Sequence, residues 1–144
     1  MAVLTTSNEF KYENGKGNND FSTHEYKLML MSVGYVFNKD THGTLADISG
    51  EASGEITAAG GYARKVLVVD AAWAQDNVND RAVVTWVDPV YTASGEAFDN
   101  FGSALLYNET HAFDLIVGHI DFEATVTIPD GLSYKVENIA YESV

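Results

Sequence analysis

The sequence predicts an all-β domain, an antiparallel β-sandwich of jelly-roll-like type with at most one or two short helices. Three observations lead there. About eight short β-branched or alternating runs are separated by turn-forming residues. No segment sustains the 3.6-residue apolar period of a long amphipathic helix. A hydrophobic content of 46% in 144 residues suffices for one core. The expected organisation is a polar N-terminal arm or loop over residues 1–23 and a single β-sandwich domain over residues 24–144.

Within the arm, Asn14-Gly15-Lys16-Gly17-Asn18-Asn19-Asp20 reads as a loop, with at best a short helix over Phe10 to Asn14. "EYKLMLMSVGYVF", residues 25–37, is apolar on both faces and too short and too broken for a helix, so a central strand is expected. Asp40 or Thr41 is placed to cap one helical turn running through Asp47. "ARKVLVVDAAW" and "RAVVTWVDPVY" are strand-like runs on either side of the turn Asp76-Asn77-Val78-Asn79-Asp80. Pro89 ends the second run or puts it at an edge.

"GSALLYN" and "HAFDLIVGHIDF" continue the strand pattern. A terminal hairpin is expected around Pro129-Asp130-Gly131. Phe122, Ala124, Val126 and Ile128 before that turn, and Leu132, Tyr134 and Val136 after it, alternate with polar residues.

Composition excludes several function classes. The net charge is −13, with eight basic residues spread thinly and only Arg64-Lys65 adjacent. Nucleic acids and anionic membranes need a basic stripe, so neither is an expected partner. There is no cysteine, which removes disulfides, thiolate catalysis and sulfur-ligated metals. No apolar run approaches the roughly 18 residues of a membrane span, and the first nine residues lack signal-peptide character. A soluble protein that folds where it is made is expected.

Candidate chemistry is sparse. His119 and Asp121 are two apart on a predicted strand, and His111 shares their parity, so the three side chains would share a face. They could bind a metal or be polar positions on one solvated face. The Asp76–Asp80 turn is rich in oxygen ligands, with Asp70 and Asp88 as additional candidates for calcium, yet it lacks the EF-hand glycine and glutamate. An acidic turn solvated by water explains it equally well. Trp73 and Trp86 could stack on sugars or fill the core. Motifs for serine nucleophiles, zinc hydrolysis and phosphate binding are missing. The expectation is a protein without catalytic, cofactor or metal residues, and not an enzyme. In "DISGEASGEITAAGGYARKV", residues 47–66, glycines at 50, 54, 60 and 61 free the backbone. Without the following helix that a phosphate loop needs, the segment reads as a shaped connection, not a phosphate loop.

The order of features resembles a family of small structural proteins encoded in the head-and-tail gene clusters of tailed bacteriophages. The likeness begins with the apolar strand Tyr26-Lys27-Leu28-Met29-Leu30 and an aromatic position followed by an Asp-x-His step, Phe37-Asn38-Lys39-Asp40-Thr41-His42. It continues through Asp47-Ile48-Ser49-Gly50-Glu51-Ala52-Ser53-Gly54, the small turn Ala59-Gly60-Gly61, Val84-Thr85-Trp86 and Leu105-Leu106-Tyr107. It closes with Ile120-Asp121-Phe122 and "VTIPDGL", residues 126–132, so that about residues 25–136 are covered. Relatives often carry Gly-Tyr two residues after the Gly54 position, where this chain has Ile56-Thr57 and a later Tyr62, and residues 88–103 form a longer segment.

The resemblance implies a capsid decoration, or cement, protein on the outer surface of the virion, made in the host cytoplasm. The implied partners are the major capsid protein and other copies of itself, as a dimer or trimer, with residues 1–23 as an arm that orders on a neighbour. Alternatives are a tail or neck assembly component, or a head-fibre or tail-associated receptor- or carbohydrate-binding module. That module would use Tyr91, Phe98 and Phe101 of the long segment as an exposed stacking platform.

Overall fold

In the computed structural model, which describes residues 4–51 and 53–143, the elements run β1 (Leu4–Thr6), α1 (Asn8–Gly15), β2 (Tyr26–Ser32), α2 (Leu45–Ile48), β3 (Lys65–Leu67), β4 (Val69–Asp76), β5 (Arg81–Trp86), β6 (Val90–Thr92), β7 (Phe101–Asn108), β8 (Leu115–Val126), β9 (Ser133–Lys135) and β10 (Ala140–Ser143). They build an antiparallel five-stranded sheet in the order β1-β8-β7-β2-β3, a three-stranded sheet β10-β5-β4 and a two-stranded sheet β6-β9. The protein is all-β and sandwich-like, with two short helices. No helix among the described residues is long and apolar enough to cross a membrane.

The continuous apolar run of β2 is explained by burial on both faces. Tyr26, Leu28 and Leu30 enter the main core, which the five-stranded sheet shares with Val84 and Trp86 of β5, Tyr91 of β6 and Tyr141 of β10. Met29 and Met31 point the other way, into a second cluster with Leu105, Tyr107, Tyr35 and Ile48. Segment 33–51, which includes α2, closes that second face through Tyr35, Phe37, Leu45 and Ile48. Thr44, not Asp40 or Thr41, is the N-cap of α2. Asp47 binds back to the Gly43 and Thr44 amides at 3.1 and 2.8 Å and to the Thr44 hydroxyl at 3.0 Å.

Strand β8 changes its facing partway. Leu106 pairs with Gly118 but the next residue, Tyr107, pairs with Ile116, so Val117 is an extra residue in a bulge. Before the bulge, Leu115 and Val117 face the main core; after it, Ile120 does, and His119 turns to the second face. Gly118 is required there. A β-carbon at this position would lie 2.6 Å from the Thr5 carbonyl oxygen and 2.8 Å from Leu4 Cγ, the strand that pairs alongside.

Three expectations are corrected. Residues 4–23 are built into the fold and are not a free arm, although residues 16–23 do run as a loop after α1; residues 1–3 lie outside the described ones. β1 pairs with β8, Leu4 opposite Ile120. Ser7 caps α1 by accepting from the Phe10 amide at 3.0 Å, while its own hydroxyl donates to the Ile116 carbonyl at 2.5 Å. Phe10 and Phe21, two apolar residues in a polar stretch, are both buried in the main core.

Second, "ARKVLVVDAAW" is not one strand. Its first part, β3, pairs with β2; its second, β4, pairs with β5, so the chain changes sheets at Val68.

Third, the segments flanking Pro129-Asp130-Gly131 do not pair with each other. The turn forms, with the Leu132 amide donating to the Pro129 carbonyl at 3.0 Å. But Gly131 N–H donates to the Ala93 carbonyl and Ala93 N–H to the Leu132 carbonyl, which draws β9 onto β6, Tyr134 opposite Tyr91. Ile128 and Val136 are buried as the alternation implies, whereas Leu132 is exposed.

If the N-terminal segment is core, Phe10→Ala should destabilise the domain by about 3–5 kcal/mol, as large aromatic truncations in cores do. Denaturant titration measures this. A loss below about 1 kcal/mol, the scale of an ordinary surface change, would mean that residues 4–23 only lie against the domain.

Candidate functional site

The structure does not assemble His111, His119 and Asp121. His111 lies in the loop before β8, with Nε2 3.5 Å from Glu13 Oε2 on α1. Glu13 is held below the usual carboxylate range chiefly by the Asn18 amide, at 2.6 Å. His119 sits on the second face of the large sheet, stacked on Phe37 with ring centres 5.1 Å apart. The bulge in β8 and the turn before it break the parity on which a shared face depended.

His119 and Asp121 do remain neighbours, lining one cleft with Tyr35, Ser103 and Glu123. Glu123 adopts φ 56°, an uncommon backbone angle for a non-glycine residue. His42, which sequence reasoning did not single out as a candidate, lies beside His119. It accepts from the Asn38 amide and Tyr35 hydroxyl at Nδ1 and faces Glu51 at 3.0 Å through Nε2. Both ring nitrogens of His42 are therefore engaged, while Nε2 of His119 is buried without a partner. Among the described residues, no group of three or more His, Cys, Asp or Glu could hold a metal ion.

The acidic turn at 76–80 joins β4 to β5. Asp76 accepts from the Asn79 backbone and side-chain nitrogens and from Arg81 Nε at 3.0 Å, and these contacts hold its carboxyl below the usual range. The residue is already neutralised by a guanidinium that also pairs with Glu142. Asp70 lies six residues along β4, about 20 Å away at about 3.3 Å per residue. Asp88 lies at the same far end, accepting from the Asn138 amide at 2.8 Å. The calcium set is not brought together.

The aromatic platform of the long segment is also corrected. Tyr91, Phe98 and Phe101 are buried, at 1%, 4% and 0% exposure. Tyr91 donates to the Leu28 carbonyl at 2.9 Å, and Phe98 packs on Tyr62. The two tryptophans separate: Trp86 fills the core, whereas Trp73 on β4 is 39% exposed. Trp73 lies against Phe21 and Tyr141, with ring centres at 5.0 and 5.8 Å. It borders a groove of about 550 Å³ between β4 and the loop after α1, lined also by Val69, Ala72, Asn14, Asn19, Asp20 and Ser22.

Segment 47–66 is a shaped connection. Gly60 has φ 70°, and a β-carbon there would lie 2.7 Å from Phe98 and 2.8 Å from the Glu96 carbonyl oxygen. A bidentate ion pair ties its end: Arg64 Nε and Nη2 each donate to Glu55 at 2.9 Å, and Nη1 donates to the Tyr107 hydroxyl. Tyr62 donates to Glu55 at 2.7 Å and accepts from the Leu30 amide. Its phenol is pushed well above the ordinary range by burial and by Glu55. No protein-family model, curated protein or solved structure matches the chain.

Burial depresses the pKa of His119, opposed by Asp121 and reinforced by His42. The unfolded imidazole titrates near 6.5. Stability from neutral His119 is therefore complete above that pH and declines as pH falls below it, because the unfolded chain takes the proton more readily. His119→Phe should gain on the wild type steadily between about pH 7 and pH 5 in denaturation midpoint. A gap constant with pH would assign the titration elsewhere.

Proposed function

We propose that the protein is a capsid decoration, or cement, protein that binds the outer surface of an icosahedral phage head and stabilises the shell. The observation that carries this reading is the ordered motif series over residues 25–136, whose members fall on positions the fold depends on. Asp47 caps α2, the Gly54 carbonyl accepts from the Ser32 amide, and Gly60 allows a close approach to Phe98. Trp86 lies in the core, Tyr107 receives Arg64, and Asp130 at the closing turn accepts from the Gly95 amide at 2.9 Å. A likeness spread over such positions is one of architecture, which suits a family of structural proteins.

The strong acidity keeps free copies apart before assembly. Many modest contacts repeated over a lattice then supply avidity. The major capsid protein is the partner, with the protein itself a dimer or trimer on the shell. Because residues 4–23 belong to the fold, the shell contact falls to the folded surface and not to an arm. The receptor-binding alternative loses the platform on which it rested, since Tyr91, Phe98 and Phe101 are core residues.

Heads assembled without the protein should close normally and break at lower temperature or milder osmotic shock than complete heads. Adding purified protein should restore resistance and saturate at a fixed ratio to capsid subunits. Bare heads of equal robustness, or a few copies confined to tail or fibres, would end the cement reading.

A further inference from the structure

We infer that the groove beside Trp73 is a binding site for a neutral pyranose sugar, an inference independent of the shell-stabilising role. Its floor is an aromatic platform already fixed in position. The Trp73 indole is held against Phe21 and Tyr141 at interplanar angles of 33° and 24°, and Phe21 in turn stacks on Tyr26. At 39% exposure Trp73 is the open member of this stack, while Phe21 and Tyr141 are each 6% exposed. Val69 and Ala72 extend the apolar side along β4.

The opposite wall is polar, and its groups are oriented before any ligand arrives. Asn19 Oδ1 accepts from the Tyr26 hydroxyl at 2.6 Å and from Asn108 Nδ2 at 2.8 Å. Asn19 Nδ2 donates to Asn14 Oδ1 at 3.3 Å, and the Nδ2 of Asn14, a residue that lines the groove, is not used in that bond. The Asp20 carboxylate accepts from the Ser22 amide, the Ser22 hydroxyl and the Thr23 hydroxyl. These bonds hold its pKa down to about 2, so it is charged at neutral pH, and of its roughly four lone-pair sites at most one is left for a further donor.

One apolar face and one wall offering both a donor and acceptors match a pyranose ring. Its C–H face can lie on the indole while its hydroxyls give and take hydrogen bonds at the edge. The Asp20 charge disfavours phosphates and acidic sugars. The groove, at about 550 Å³, holds one or two such rings within the size range of small-ligand sites. Preorganised platform and wall limit the entropy lost on binding.

The test is an amide-resolved NMR titration of the full chain with the methyl glycosides of glucose, galactose, mannose and N-acetylglucosamine at millimolar concentration. At least one glycoside should move the amides of residues 14–22 and 69–73. Trp73→Ala should weaken that binding at least tenfold and Trp73→Tyr should largely restore it. Asn14→Ala, which leaves the aromatic stack intact, should weaken it severalfold and serves should Trp73→Ala fail to fold. The inference is overturned if no glycoside moves these amides or if the shifts lie elsewhere. It is equally overturned if Trp73→Ala or Asn14→Ala binds as well as the wild type. Shifts at 69–73 that follow protein concentration alone would give the groove to a second copy and also overturn it.

Discussion

The central strands of the large sheet have no solvent face, and much of the architecture follows from that. β2, β7 and the first half of β8 carry apolar side chains on both sides, so each side must be covered. The two smaller sheets, with Phe10 and Phe21, cover one side. A second layer has to come from a segment with little regular structure of its own, and residues 33–51 supply it. That loop is held by local polar bonds, the Asp47 cap and the His42 contacts to Tyr35 and Asn38, and by one long-range bond from the Leu45 amide to the Asp114 carbonyl. Its Asp47 and His42 side chains secure this cover.

What was legible in the sequence follows the same division. Two-sided burial left its mark in "KLMLMS", which has no polar alternation, and the turn at Asp76–Asp80 was readable from its residue types. Features that depend on one residue of register were not. Val117 looks like any other β-branched strand residue, yet its bulge sends His119 to the opposite face from the one simple alternation assigns. The terminal hairpin failed for a related reason. Alternation reports which side chains are buried, and it did so for Ile128 and Val136, but it is silent on which strand lies alongside.

The N-terminal segment was missed because its anchors are few. Phe10 and Phe21 stand eleven positions apart among amides, lysines and glycines, and composition averaged over such a stretch reads as loop. The one available signal was Ser7 with Glu9 and Phe10 behind it, a capping residue before a turn of helix. The candidate sites fared unevenly. Trp86 was a core residue as composition among valines suggested, while the exposure of Trp73 depends on β4 being an edge strand, which follows only from the change of sheet at Val68.

The pairing of β1 with β8 has a consequence in time. Leu4 to Ser7 leave the ribosome well before their partners, Ile116 to Ile120, which are made about 110 residues later. At about 5–20 residues per second, that separation is roughly 6–20 s of synthesis. For most of it, Phe10 lacks the later-made part of its core, and β2 lacks its neighbour β7. Closure of the large sheet is thus a late, whole-chain event, and a nascent copy stalled before β8 leaves one edge of β7 unpaired and its two-sided apolar strands only partly covered. The hazard of the fold lies in its synthesis, when apolar surface and an unpaired strand edge leave incomplete copies open to aggregation.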